Sequence, residues 1–154
     1  MSNNKINLIP YSGFHDYSEK LVYLRNLIND LYKEEKYLLP VFLLRCQLIE
    51  FSIKYLLIKH PYKPNNFDEK IVDDLTLGKA IGILKKFKDP YMEEIIEKSD
   101  KLKNDRNELT HNFIKSEMNI NEINKIIKKK MKLANQIEEN IFYFFEFVEK
   151  LYRS

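Results

Sequence analysis

Apolar residues recur at helical spacing along most of the chain, and this pattern predicts an all-α protein without strands. Leu24 and Ile28, for example, are four residues apart and therefore share one face of a first helix. The predicted helices span about 16–36, 40–59, 76–87, 90–115, and 119 to nearly the C-terminus. Pro10 and Gly13 break helices, so residues 1–15 are predicted to form an irregular lead-in.

Polar side chains suited to capping stand at the start of four of these helices. They are Asp16 with Glu19 three residues later, Thr76, Asp89 (which precedes Pro90), and Asn119 with Glu122 three residues later. Such side chains accept hydrogen bonds from the free backbone N–H groups of a first turn. The second predicted helix is apolar on most sides, and we therefore expect it to be the central helix of a bundle.

Length and composition predict a single domain that spans residues 1–154. The net charge of +3 is compatible with nucleic-acid binding but does not require it. The densest basic cluster also fits a solvated helix face, and it consists of Lys125, Lys128, Lys129, Lys130 and Lys132.

The sequence favours a cytoplasmic protein. Residues 1–17 lack the continuous apolar segment of a signal peptide. The apolar stretch 38–58 is interrupted by polar side chains that would be costly in lipid, namely Arg45, Gln47, Glu50 and Lys54. The single cysteine, Cys46, cannot form an internal disulfide, and we predict that it is a buried apolar side chain.

The segment 105–111, Asp-Arg-Asn-Glu-Leu-Thr-His, carries the clearest chemical signal. A histidine moves protons near neutral pH, and a guanidinium holds a phosphate as its negative charge grows. Arg106 and His111 are therefore the smallest metal-free set of groups that can cut an RNA phosphodiester. Arg106 also shares a helix stripe with the predicted core residues Ile95, Leu102, Leu109 and Phe113, so it needs an acceptor or an opening to a cleft.

The spacing of the two residues sets a geometric condition. On an ideal helix His111 lies about 140° round from Arg106, whereas Asn107 and His111 lie one above the other. One straight helix does not aim Arg106 and His111 at a single point. Either the helix bends near its end, or two copies of the segment meet across a dimer.

An Arg-Asn-x-x-x-His segment in a late helix of an all-α chain resembles the signature of HEPN domains, which are bundles of four or five helices. Arg106, Asn107 and His111 match this signature, and the apolar second helix with its internal Glu50 fits more loosely. The resemblance implies a homodimer with a metal-independent endoribonuclease site that needs no cofactor. It implies His111 as general acid or base, Arg106 as stabiliser of the transition state and Asn107 as an orienting or phosphate-binding residue, with products that end in a 2′,3′-cyclic phosphate.

The resemblance also implies an RNA substrate and a setting in phage defence or a toxin–antitoxin system, with a possible antitoxin or defence partner protein. HEPN toxins that pair with nucleotidyltransferases carry a tyrosine two residues after the histidine. Phe113 stands at that position here, so neutralisation by that route is not expected. The alternative is a non-catalytic HEPN-like module that binds a protein or RNA.

Plainer explanations stand beside these hypotheses. Arg106 can form a structural ion pair with Glu50, which would then hold it in place, and His111 can be a packing or surface histidine. Glu50 and Lys54 form an ordinary i, i+4 pair. His15 and His60 are predicted to have no chemical role. The run Phe142 to Phe145 with Phe147 is wider than one core stripe needs, which favours a core plus a contact surface.

Overall fold

A computed structural model of the chain describes residues 15–35, 38–112, 115 and 119–153. Within these residues the protein is all-helical, as the sequence predicted, and no strand is present. The α-helices are α1 (His15–Lys33), α2 (Leu38–Lys59), α3 (Leu77–Lys86), α4 (Glu93–Asn112) and α5 (Ile120–Arg153). Two short 3-10 helices, Glu69–Asp74 and Pro90–Met92, precede α3 and α4.

The central position predicted for the second helix is confirmed, because α2 contacts each of the other four α-helices. Leucine and isoleucine side chains occupy almost every face of α2, and Phe42, Ile49, Ile53 and Leu56 are fully buried. Burying a side chain of this size contributes about 1.5–3 kcal/mol relative to leaving it in water. In the described part of the chain, no helix is both long enough and apolar enough to cross a membrane.

Three of the four predicted helix caps are confirmed; the fourth, Asp16, lies inside α1, which begins at His15. Thr76 Oγ1 accepts a hydrogen bond from the backbone N–H three residues on, at 3.4 Å. Asp89 Oδ1 accepts one from the backbone N–H two residues on, at 2.9 Å. Asn119 and Glu122 cap each other: the side chain of each accepts from the backbone N–H of the other, at 3.0 and 3.3 Å.

The helix ends differ from the prediction by a few residues. α1 ends at Lys33, and Glu35 has a φ of 54°, a left-handed conformation that does not continue a right-handed helix. The predicted helix 90–115 begins as the 3-10 helix and continues as α4 only to Asn112. The predicted irregular lead-in falls on residues 1–14, and parts of the helix predictions fall on residues 36, 113 and 114; all of these lie outside the described residues.

The 3-10 helix Glu69–Asp74 was not predicted. The carboxylate of Asp68 accepts a hydrogen bond from the backbone N–H of Lys70 at 2.9 Å and caps this short helix. A helix of six residues has too few turns to show an apolar period, so only the capping aspartate signals it.

His60, to which the sequence assigned no chemical role, has a structural role at the start of the motif helix. It is buried, it stacks on Phe144, and its Nε2 lies 2.7 Å from Oδ2 of Asp89. Its Nδ1 accepts a hydrogen bond from the backbone N–H of Tyr62 at 3.1 Å. This geometry assigns the ring proton to Nε2, which donates it to Asp89. The end of α2 is thereby tied to the residue that caps the segment leading into α4.

A buried polar network joins α1, α2 and α5. Arg45 Nη1 donates to Oε1 of Glu138 at 2.7 Å, and both side chains are buried. Arg45 Nη2 donates to the side-chain oxygen of Asn135 at 2.6 Å and, more weakly, to that of Asn29 at 3.4 Å. The more exposed Arg25 lies 3.2 Å from the other oxygen of Glu138. Nothing in the sequence pattern indicated this network.

Candidate functional site

The candidate site lies in the last two turns of α4, the helix that carries Arg106, Asn107 and His111. The core face predicted for this helix is confirmed, since Ile95, Leu102 and Leu109 are buried. Phe113, the fourth predicted member of the stripe, has a side chain outside the described residues.

Arg106 occupies the apolar stripe and still reaches solvent, with 28% of its side chain exposed. Its Nη1 lies 3.9 Å from Oε2 of Glu50, and its Nη2 lies 3.4 Å from Oδ1 of Asn107. A well-formed guanidinium–carboxylate pair is closer, at about 2.7–2.9 Å. Glu50, which the sequence suggested as an ion-pair partner of Arg106 in the plainer alternative, therefore contacts the guanidinium but holds it only loosely.

Glu50 also pairs with a second cation, Lys54. Its Oε1 lies 3.2 Å from Nζ of Lys54, one turn later on α2. Lys54 is only 7% exposed, and its ammonium group also donates to the backbone carbonyl of Asp73 at 3.1 Å. The chain of contacts runs from Asp73 through Lys54 and Glu50 to Arg106, and the three charged side chains carry a net charge of about +1.

Asn107 and His111 are exposed, on the outer side of α4. The structure brings Asn107 to Arg106 and Arg106 to Glu50. α4 is helical through both motif residues, which keeps His111 about 140° round from Arg106 on ideal geometry. A single chain therefore presents the guanidinium and the imidazole in different directions.

Asp105 lies beside the motif on the side that faces α5. It is buried, and its Oδ1 lies 3.0 Å from Nζ of Lys130. Lys128 pairs with Glu35 at 3.1 Å. Two members of the predicted basic cluster are thus partly neutralised, and the other three, Lys125, Lys129 and Lys132, are exposed.

Cys46 is buried, as predicted. The charges of Arg106 and Asp105 affect the pKa of its thiol. Burial raises the pKa of the thiol to about 12, an increase that the nearby Arg106 reduces and Asp105 reinforces. A thiol with this pKa stays protonated near neutral pH, so Cys46 is a packing residue beneath the site.

Alkaline pH is expected to destabilise the protein through Cys46. The ordinary thiol pKa is 9.0 and the folded-state value is about 12, so above pH 9 the unfolded chain loses a proton that the folded chain retains. The free energy of unfolding therefore falls as pH rises, by up to about 1.4 kcal/mol per pH unit from this residue. Urea unfolding of wild type and Cys46→Ala at pH 8, 9 and 10, under reducing conditions, checks this. A difference between the two proteins that stays constant with pH would contradict it.

The sequence did not predict that Lys54 is part of the candidate site. Its spacing from Glu50 was visible, but an i, i+4 pair on a helix is common and gives no sign of a third member. Only packing of α4 on α2 shows that the same carboxylate faces Arg106.

Side chains of the metal-ligating type are dispersed in the part of the chain that the structure describes: no three histidine, cysteine, aspartate or glutamate residues are grouped as a metal site. Comparisons of the chain with protein-family models, with curated proteins and with solved structures find no match.

Proposed function

We propose that the protein is a metal-independent endoribonuclease of the HEPN type. The observation that carries the proposal is the state of Arg106, a half-buried guanidinium whose nearest carboxylate among the described residues is 3.9 Å away and is shared with Lys54. A cation so placed needs a further acceptor, and the phosphate of an RNA backbone supplies one.

The proposed chemistry is transfer of the phosphate to the neighbouring ribose oxygen. His111 takes the proton of the 2′-hydroxyl, the 2′-oxygen attacks phosphorus, and the bond to the 5′-oxygen breaks. The leaving oxygen takes up a proton, which gives a 5′-hydroxyl end and a 2′,3′-cyclic phosphate end. Arg106 stabilises the extra negative charge of the phosphorane-like transition state, and Asn107 orients the phosphate.

The directions of the two side chains support a homodimer. Because Arg106 and His111 diverge on one helix, a two-fold arrangement of α4 segments brings the histidine of one protomer towards the arginine of its partner. The proposed setting is cytoplasmic, in phage defence or in a toxin–antitoxin system with a partner protein.

Cleavage of labelled RNA in EDTA tests the proposal. We expect the purified wild-type chain to cut single-stranded RNA in the presence of the chelator and to leave 2′,3′-cyclic phosphate ends, which end mapping identifies. The same RNA with 2′-deoxy or 2′-O-methyl riboses should resist, because the attacking hydroxyl is missing. Cutting of the 2′-deoxy strand would contradict the mechanism.

A second candidate function is that of a non-catalytic binding module, and an aromatic surface patch favours it. The patch consists of Tyr91, Tyr143 and Phe147; Tyr91 is 72% and Tyr143 62% exposed, and the rings of Tyr91 and Phe147 lie 5.7 Å apart. Exposed paired aromatic rings are typical of contact surfaces. A wild-type chain that is inert towards RNA, and whose partner binding is lost on Tyr143→Ser, would favour this candidate.

A further inference from the structure

We infer that Lys54 keeps Glu50 from neutralising Arg106, and so leaves the guanidinium open to a phosphate-type anion. The inference rests on the proposed function for the identity of the natural anion, an RNA phosphate. Lys54 touches neither Arg106 nor a substrate in this account, and it acts as a positioning residue through the carboxylate that it shares.

Glu50 divides its carboxylate unequally between Lys54 and Arg106. Glu50 directs Oε1 to Lys54 at 3.2 Å and leaves Oε2 at 3.9 Å from Arg106. The contact with Arg106 is about 1 Å longer than a closed guanidinium–carboxylate pair. The side chain of Glu50 is thus positioned for the lysine rather than for the arginine.

Lys54 cannot easily release Glu50. Its ammonium group is buried in the core and is fixed on the other side by the carbonyl of Asp73 at 3.1 Å. A buried ammonium group without its carboxylate loses hydration that nothing replaces, so the separation is unfavourable. Arg106 is more exposed and keeps part of its hydration, so it loses the competition for the carboxylate.

Two other carboxylates of α4, those of Asp105 and Asp100, are paired with lysines. Asp105, the neighbour of Arg106 in sequence, is engaged by Lys130 at 3.0 Å. Asp100 is shared between Lys85 at 2.7 Å and Lys103 at 3.4 Å. Within the described residues, Asp105 and Asp100 are thus paired with lysines and not with Arg106. The positive charge that Arg106 retains attracts an anion.

Binding of inorganic phosphate to the full chain tests the inference without reference to catalysis. The side-chain Nε–H signal of Arg106 is followed by NMR, with Arg106→Lys used to identify it, in wild type, Lys54→Met, Glu50→Gln and the double variant. In Lys54→Met the freed carboxylate closes on Arg106, and we expect phosphate affinity to fall about tenfold. Glu50→Gln should bind phosphate at least as tightly as wild type, and the double variant should recover the affinity lost in Lys54→Met.

Several outcomes would overturn the inference. Circular dichroism first establishes that each variant is folded, because a merely structural role for Lys54 alters stability and leaves the affinity of the folded fraction unchanged. The inference is overturned if folded Lys54→Met binds phosphate as tightly as wild type, or if the double variant does not recover phosphate affinity. It is also overturned if phosphate does not perturb the Arg106 signal of the wild-type chain. If the expected order of affinities is found and the wild-type chain still fails to cut RNA, the inference stands and the nuclease proposal fails.

Discussion

Replacement of His111 by alanine is expected to lower the rate of RNA cleavage by about 10²–10⁴-fold, because the chain then lacks the group that moves the proton. The imidazole is exposed at the end of α4, away from the core, so its removal should leave the fold intact. Single-turnover cleavage of labelled RNA measures the rate, and circular dichroism verifies the fold. Asn104→Ala, an exposed position two turns before His111 on the same helix, is a suitable control that should keep nearly full activity.

Arg106→Ala belongs to the same prediction and should lower the rate by about 10²–10³-fold through loss of transition-state stabilisation. Arg106→Lys retains a charge but loses the planar set of donors, so we expect it to recover only part of the activity. Lys101→Ala, which removes an exposed cation from the same helix, is the matched control and should cut at close to the wild-type rate. If Lys101→Ala were as inactive as Arg106→Ala, general charge attraction rather than a specific site would explain the data.

The proposed homodimer allows a sharper form of this test. If Arg106 of one protomer works with His111 of its partner, two inactive variants complement each other when they share a dimer. A mixture of Arg106→Ala and His111→Ala chains, unfolded together and refolded, should regain activity, whereas each variant refolded alone should not. An inactive mixture that contains heterodimers would contradict a site shared between protomers.

Local patterns were sufficient to predict most of the fold. Apolar spacing marked the helices because each helix buries one face, and α2 was recognised as central because almost all of its faces are apolar. The caps Thr76, Asp89 and Asn119 were predictable because capping uses side chains within three residues of the helix start. The 3-10 helix Glu69–Asp74 escaped prediction because it is too short to show a period.

The candidate site was only partly predictable for a different reason. The position of Arg106 in an apolar stripe predicted its need for an acceptor or a cleft. Glu50, the one acidic residue of α2, was proposed as an ion-pair partner only in the plainer alternative, and the structure places it 3.9 Å from Arg106. The distances within the site depend on how α4 packs on α2, which no local pattern records. The competition between Lys54 and Arg106 for one carboxylate, and the pairing of Arg45 with Glu138 across 93 residues, therefore became visible only in the structure.

Glu138→Leu is expected to destabilise the fold by about 3–5 kcal/mol, since it leaves the buried guanidinium of Arg45 without its carboxylate. Asn135 and Asn29 still accept hydrogen bonds from Arg45, but neutral oxygens do not balance its charge. The free energy of unfolding from urea titration measures the loss. Arg25→Met removes the more exposed partner of the same carboxylate and, as the matched control, should cost less than about 1 kcal/mol.

The double variant Arg45→Met with Glu138→Leu should be more stable than Glu138→Leu alone. It replaces both buried charges by apolar side chains, and such replacements are often neutral or stabilising where the removal of one partner is costly. The Nε–H of Arg45 strengthens this expectation, because within the described residues it is buried without a hydrogen-bond acceptor. Apolar replacement would remove that cost as well. Stability losses that simply add in the double variant would contradict a direct coupling between Arg45 and Glu138, and the network would then be a set of independent contacts.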